Sequence, residues 1–249
     1  MPNITLKTLA KRTGFSVTTV SRALKNGSEI NINTKKKVIE AASILNYQPN
    51  LYAYRLKMGK TFQICFFLNQ LDDITNYEKQ IIKGIFKSLN DTNYELIVKP
   101  IFRSNQVEAI KEVVEKKLAD GVIISHTTLN DERVKFLIEK NFPFVTHGRT
   151  ELFSEHPYFD NDHAEFINDS LVYLKEKKCD EVILIKPANK FTYNYISTKA
   201  FDNKINEINL KKNIDPEFSH EDSLEELKNK IIDKFSKKNN IKGIISGSD

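Results

Sequence analysis

Apolar positions recur with two different periods along the chain. In the first sixty residues they fall at helical spacing: Leu6, Leu9 and Ala10, then Val20, Ala23 and Leu24, then Val38, Ala41, Ala42 and Leu45. Each set makes one stripe on a helix, and three such stripes can close a small core. The punctuation agrees. Thr5 precedes the first stripe as a cap and Gly14 follows it where a left-handed residue ends a helix; Ser16 caps the second stripe. Thr34 is the expected cap of a third helix over Lys35 to Asn46. Two short helices joined by a glycine-containing turn form the helix-turn-helix plan, in which the second helix enters a major groove. On that second helix Thr18 and Arg22 lie one turn apart opposite the apolar stripe, bordered by Val17 and Ser21. After Pro49 and Asn50 comes Leu51 to Lys57, a helix-compatible run of seven residues. So short a helix is marginal alone in water and is expected to fray until a partner orders it. A DNA minor groove with Leu56 as an apolar wedge would do so.

From Phe62 onward short apolar runs replace the stripes. Strands are predicted at Gln63 to Leu68, Glu95 to Phe102, Gly121 to Ser125, Pro143 to Thr146, Glu181 to Lys186 and Gly243 to Ser246. Helical segments such as Tyr77 to Leu89 and Val107 to Leu118 separate them. This alternation predicts βαβ units and a parallel sheet, with ligands bound beyond the carboxyl ends of the strands. The fold class is therefore α/β behind an amino-terminal three-helix domain. The expected domains are residues 1–48 for the helix-turn-helix, 49–60 for hinge helix and linker, and 61–249 for the α/β part.

Charge sharpens this division. Residues 1–60 hold 11 Lys or Arg against two acids, Glu29 and Glu40, whereas the remainder has 27 bases and 31 acids. The basic excess sits wholly in the helical segment, as expected of a part that neutralises phosphates. Composition otherwise only excludes. With 40% hydrophobic and 29% charged residues in 249, the chain is ordinary for a globular protein and long enough for two modest domains. The longest apolar run, Ile64 to Leu68, is five residues, too short to span a membrane. The amino terminus lacks the apolar block of a signal peptide, so a cytoplasmic, nucleoid-associated location is expected. Two cysteines without a CxxC argue against a disulfide framework or zinc cluster.

Catalytic signals are missing from the α/β part. It contains no GxGxxG, P-loop, HExxH or GxSxG motif, so neither an enzyme activity nor a cofactor is expected. His156 and His163 are seven apart with Asp160 and Asp162 between them. A metal site there is the less favoured reading, since these are ordinary loop residues. Asp162 in particular can cap the helix carrying Phe166 and Leu171.

The strings Ile4-Thr5-Leu6-Lys7, Leu9-Ala10-Lys11, Gly14-Phe15-Ser16-Val17-Thr18-Thr19-Val20-Ser21-Arg22-Ala23-Leu24 and Asn46-Tyr47-Gln48-Pro49-Asn50, with Ala53 and Leu56, resemble the lactose-repressor (LacI-type) regulators over the first sixty residues without a gap. The resemblance implies base reading by Val17, Thr18 and Arg22. It implies phosphate-facing or capping roles for Ser16, Thr19, Ser21, Asn26, Thr34, Tyr47 and Asn50. It also implies a hinge in which Leu56 enters the minor groove while small Ala53 lets two hinge helices approach across a dimer axis. The loop Lys25 to Asn33 departs from the family pattern at Glu29 and Asn33, and Tyr54 and Arg55 are larger than the usual hinge pair.

In the same family the α/β part resembles periplasmic sugar-binding proteins, two subdomains enclosing a small effector. The strings Ala119 to Ser125, Pro143 to Arg149 and His156 to Asp162 carry this likeness. By position, Asn69, Arg149, Asp162, Tyr193 and Asp249 are the effector candidates, while the arginine usual in the helix after the fifth strand is absent near Ser197. The implied protein is a homodimeric repressor of carbohydrate-utilisation genes that binds double-stranded operator DNA and a sugar. The helix Tyr77 to Leu89 is implied by the resemblance to form part of the dimer surface. The terminal Gly243 to Asp249 resembles a mid-subdomain strand, so a truncated second subdomain is expected. The alternatives are a non-specific architectural DNA binder and an enzyme with a fused DNA-binding domain.

Overall fold

The computed structural model describes residues 4–69, 76–101, 106–186, 190–213, 224–236 and 242–247. The chain divides into two compact units, Met1–Thr61 and Phe62–Asp249.

The first unit holds helices α1 (Leu6–Thr13), α2 (Val17–Leu24), α3 (Ile32–Ile44) and α4 (Leu51–Met58). Leu9, Val20, Ala23 and Val38 are buried at the centre of α1 to α3, ringed by the remaining stripe residues and by Phe15, Ile30 and Tyr47. Those last three come from turns rather than helix stripes, so helical periodicity does not mark them. At about 1.5–3 kcal/mol for each fully buried branched aliphatic side chain, this small core carries most of the unit's favourable energy.

The start of α3 corrects one expectation. Asn31, not Thr34, is the cap: its Oδ1 accepts the Asn33 backbone N–H at 2.8 Å, and Thr34 lies half-buried inside the first turn. Both residue types can cap, and the choice falls three residues earlier because Ile32 and Asn33 already have helical geometry.

The second unit contains two parallel sheets. The first has strand order β2-β1-β3-β4-β5, from β1 (Gln63–Asn69), β2 (Glu95–Ile101), β3 (Gly121–Ile124), β4 (Phe144–His147) and β5 (Tyr158–Phe159). The second has order β7-β6-β8, from β6 (Glu181–Ile185), β7 (Lys211–Asn213) and β8 (Lys242–Ser246). Between them run α5 (Asn76–Leu89), α6 (Gln106–Glu115), α7 (Glu132–Glu139), α8 (His163–Glu176), α9 (Thr192–Glu207) and α10 (Leu224–Ser236).

Strand β6 shows why the buried runs are continuous rather than alternating. Val182 and Leu184 pack against Ile167, Leu171, Phe201 and Ile205 of α8 and α9, while Ile183 and Ile185 pack against Leu227 and Ile231 of α10. Both faces are covered, as parallel strands require. In each sheet the first strand of the repeat lies between its two successors, so the crossovers leave it on opposite sides and open a crevice at its carboxyl end.

Two strands fall outside the apolar pattern. Tyr158–Phe159 and Lys211–Asn213 are short edge strands, the former exposed and the latter without an apolar residue. Backbone pairing to β4 and β6 makes them, and no hydrophobic pattern announces that.

Candidate nucleic-acid interface and ligand seam

Local hydrogen bonds set the geometry of the first unit. Thr5 and Thr8 cap α1 reciprocally, each side-chain oxygen accepting the other's backbone N–H at 3.3 Å, and Gly14 ends the helix at φ 74°. Ser16 caps α2 by accepting the Thr19 N–H at 3.1 Å, and its hydroxyl lies 2.9 Å from that of Thr19. With Val20 and Ala23 held inside, the opposite face of α2 is forced outward. Thr18 and Arg22 are exposed there, with Val17 40% exposed and Ser21 half-buried at the border.

The neighbouring candidates share their polar atoms with the fold. Asn26 is left-handed at φ 56°, and its Oδ1 accepts from the Lys35 ammonium at 2.9 Å. Tyr47 places its ring against the three-helix core, and burial pushes its hydroxyl pKa up. Asn50 caps α4 by accepting the Ala53 N–H at 3.1 Å. Helix α4 itself is formed, with Gly59 left-handed at its end and the Lys25 ammonium 4.9 Å from the centre of the Tyr54 ring. These two caps and a cation–π contact supply the support that seven isolated residues lack. No α4 residue is buried: Ala53 is exposed and Leu56 is 84% exposed.

In the second unit the carboxyl ends of β3 and β4 meet the start of α9. Thr128 and Phe191 form an antiparallel bridge, and the Thr127 carbonyl accepts the Thr192 N–H at 3.0 Å. A row of rings crosses this seam. The centroid of His126 lies 5.4 Å from Phe191, which stacks on Tyr193 at 5.4 Å and 11°, and Tyr193 stacks on His163 at 5.5 Å. His163 Nε2 then lies 3.3 Å from Asp160, whose other oxygen accepts from Arg149 Nε at 2.9 Å. A second cluster joins Tyr77 to His147 at 2.7 Å, with the Asn161 amide donating to the Tyr77 hydroxyl at 2.9 Å.

The seam is supported from below by a buried ion pair. Arg133 and Asp131 are each 3% exposed and 2.7 Å apart, and Arg133 Nη2 also donates to the carbonyls of His126 and Ser125. That holds His126 in a left-handed conformation, φ 54°. Gly148 has φ 101°, and a Cβ there would stand 2.5 Å from Thr127 Oγ1, so only glycine fits.

Burial shapes the titration of these groups. It pushes His126 down to about 4, with His147, Arg133 and Lys190 adding repulsion. It also lowers His147, against the opposing pull of Asp160. Tyr193 is pushed up to about 12 by burial. For Asp160 burial acts upward, but hydrogen bonds from His163 and Arg149 outweigh it and hold the carboxyl below its ordinary value.

Of the effector candidates, Arg149 and Tyr193 are thus joined through Asp160 and His163. Asp162 caps α8, accepting the Glu165 N–H at 2.9 Å. Asn69 closes β1 with its side chain outside the described residues, and Asp249 lies outside them altogether. Ser197 is buried in α9. His126, His147, Tyr77, Asn161 and Phe191 are not among the effector candidates of the sequence, since their partners lie up to 84 residues away. Among the described residues no group of three or more His, Cys, Asp or Glu is placed to hold a metal, and no helix is long and apolar enough to cross a membrane.

The two units define a class: one a helix-turn-helix unit with a further capped helix, the other an α/β unit with two parallel sheets of the periplasmic-binding-protein type. Residues 5–50 match the family model described as "Bacterial regulatory proteins, lacI family". It is 31% identical over 191 residues to the HTH-type transcriptional regulator MalR of Streptococcus pneumoniae, an alignment covering 75% of this chain and 58% of that protein. Among solved structures, the lac repressor dimer bound to operator and the anti-inducer ONPF superposes with TM-score 0.70 at 21% identity, covering 84% of this chain and 63% of that one. A transcriptional regulator CelR–cellobiose complex superposes with TM-score 0.56 at 18% identity, covering 87% and 64%. The chain spans less than two thirds of the length of the curated relatives it matches.

Proposed function

We propose that the protein is a homodimeric, sequence-specific transcription regulator, a cytoplasmic and nucleoid-associated repressor of carbohydrate-utilisation genes controlled by a sugar. The observation that carries this reading is the outward face of α2: Thr18 and Arg22 stand exposed on a capped helix whose other face is buried, in the segment holding the whole basic excess. Arg22 has the donors to read guanine, and Val17 and Thr18 suit mixed apolar and polar base edges. Ser16, Thr19, Ser21, Asn26, Thr34, Tyr47 and Asn50 take phosphate-facing or capping roles that orient the domain, while Leu56 enters the minor groove beside Ala53 of each hinge helix. The helix α5 contributes to the dimer surface.

The effector site is the seam of the second unit with Arg149 and Tyr193 in it, and Asp162, Asn69 and Asp249 are the further effector candidates of this reading. Stacked aromatic faces beside planar hydrogen-bonding groups are what a sugar ring needs, and a structural neighbour is described as a cellobiose complex. Effector binding would reset the two α/β halves and bias hinge order. Operator and effector affinities then change by the same reciprocal factor.

Selection of duplexes from a random library with the full chain tests DNA reading. Arg22→Ala should erase preference at one base position by about 1–3 kcal/mol. Equal affinity of the unaltered protein for all sequences would refute it. Mono- and disaccharides should raise the melting temperature by binding only the folded form, and a flat response would count against a sugar effector.

A further inference from the structure

Only two acidic residues accompany the bases of the first unit, and one of them is placed on Arg22. Glu29 Oε1 lies 3.5 Å from Arg22 Nε, with the two side chains 58% and 48% exposed for Arg22 and Glu29. The loop between them is shaped for this approach. The Gly27 N–H donates to the Arg22 carbonyl at 2.9 Å and the Gly27 carbonyl accepts the Ile30 N–H at 3.2 Å, which turns the chain back toward α2. A Cβ on Gly27 would stand 2.8 Å from Glu29 Oε2, so the missing side chain is the space the carboxylate occupies. Lys35 is turned elsewhere, its ammonium on Asn26 Oδ1 at 2.9 Å.

We infer that Glu29 is a positioning and specificity-determining residue: held in the clearance left by Gly27, it steadies the Arg22 guanidinium through Nε and leaves the terminal nitrogens for a base. The inference rests on the proposed DNA reading. An exposed ion pair of this kind contributes little to stability, so its effect lies in recognition. A steadied guanidinium loses less side-chain freedom when it forms a bidentate contact with guanine. The carboxylate also belongs to the unit that holds the whole basic excess of the chain. On a sequence that offers Arg22 no guanine its repulsion is uncompensated, which penalises wrong sites and weakens non-specific binding.

The test uses the full chain and two probes, the duplex it selects from a random library and a random-sequence duplex, measured across a salt series. Glu29→Gln should tighten binding to random duplex about three- to tenfold and steepen its salt dependence. It should also cut discrimination at the base position read by Arg22 by about fivefold or more. Gly27→Ala displaces the carboxylate without changing charge, so it should lower discrimination at that same position and leave the salt dependence unaltered. In an Arg22→Ala background neither substitution should change discrimination further. Unchanged discrimination in both single variants, or the same loss persisting without Arg22, overturns the inference. If Arg22→Ala itself changes no base preference, the DNA-reading proposal fails instead. Melting temperatures of all variants should match the parent, since each altered side chain is exposed or absent.

Discussion

Replacing Arg133 by methionine would isolate a buried charge beneath the ligand seam. The guanidinium makes four bonds: to the two Asp131 oxygens at 3.0 and 2.7 Å, and to the carbonyls of His126 and Ser125 at 2.9 and 3.3 Å. Methionine keeps much of the apolar stem and loses all four. Asp131 would retain only the backbone N–H groups of Thr128 and residue 133, at 3.1 and 3.0 Å. Removing one partner of a buried pair costs about 3–5 kcal/mol, because the other charge stays desolvated. The second unit should lose that much in urea unfolding followed by far-UV circular dichroism, a suitable probe in a chain without tryptophan. The double variant Asp131→Asn with Arg133→Met removes the orphan charge and should recover at least half. The pH dependence has a definite sign. Burial acts to raise the Asp131 pKa, but the hydrogen bonds and charge of Arg133, with the backbone donors, hold it below the ordinary value. Its contribution is therefore present above the unfolded value of about 3.9 and is lost as pH falls through the folded one. Without Arg133 only the two backbone donors oppose burial, so the difference between variant and parent should shrink from pH 7 toward pH 4. A loss below about 1 kcal/mol, the size of an exposed pair, or one that does not vary with pH, would refute the reasoning.

Three further outcomes follow from single features. Ser16→Ala removes the cap of α2 and should cost the first unit about 1 kcal/mol, with weaker binding to every duplex, as read by thermal melting and mobility shift. Gly148→Ala combines φ 101° with a 2.5 Å approach to Thr127 Oγ1 and should cost about 1–3 kcal/mol; Thr127→Ala in the same chain should return part of it. His126, neutral when folded with a pKa near 4, takes up a proton more readily when unfolded, so stability is full above about pH 6.5 and falls toward pH 4. His126→Phe should flatten that part of the stability profile measured by urea midpoint.

Much of the first unit is legible in the amino-acid sequence, because its determinants are local. Thr5, Gly14 and Ser16 cap what they neighbour along the chain, and the stripes of Leu9, Val20 and Val38 carry their own periodicity. Continuous apolar runs such as Val182 to Ile185 likewise declare strands covered on both faces. Where two local solutions compete the sequence misleads: Asn31 and Thr34 can both cap, and the helical geometry of Ile32 and Asn33 places the cap at Asn31. The seam belongs to tertiary structure alone. Tyr77 meets Asn161 and His147, and the Thr127 loop meets Thr192, across 65 to 84 residues, and such pairings leave no periodic trace. The ion pair of Glu29 with Arg22 is short in sequence yet equally hidden, since the loop between them turns back toward α2 and Gly27 leaves room beside the carboxylate. Periodicity and capping are properties of neighbours along the chain and can be read from it. The meeting of distant side chains is decided by how sheets and turns pack, and only the folded molecule records that.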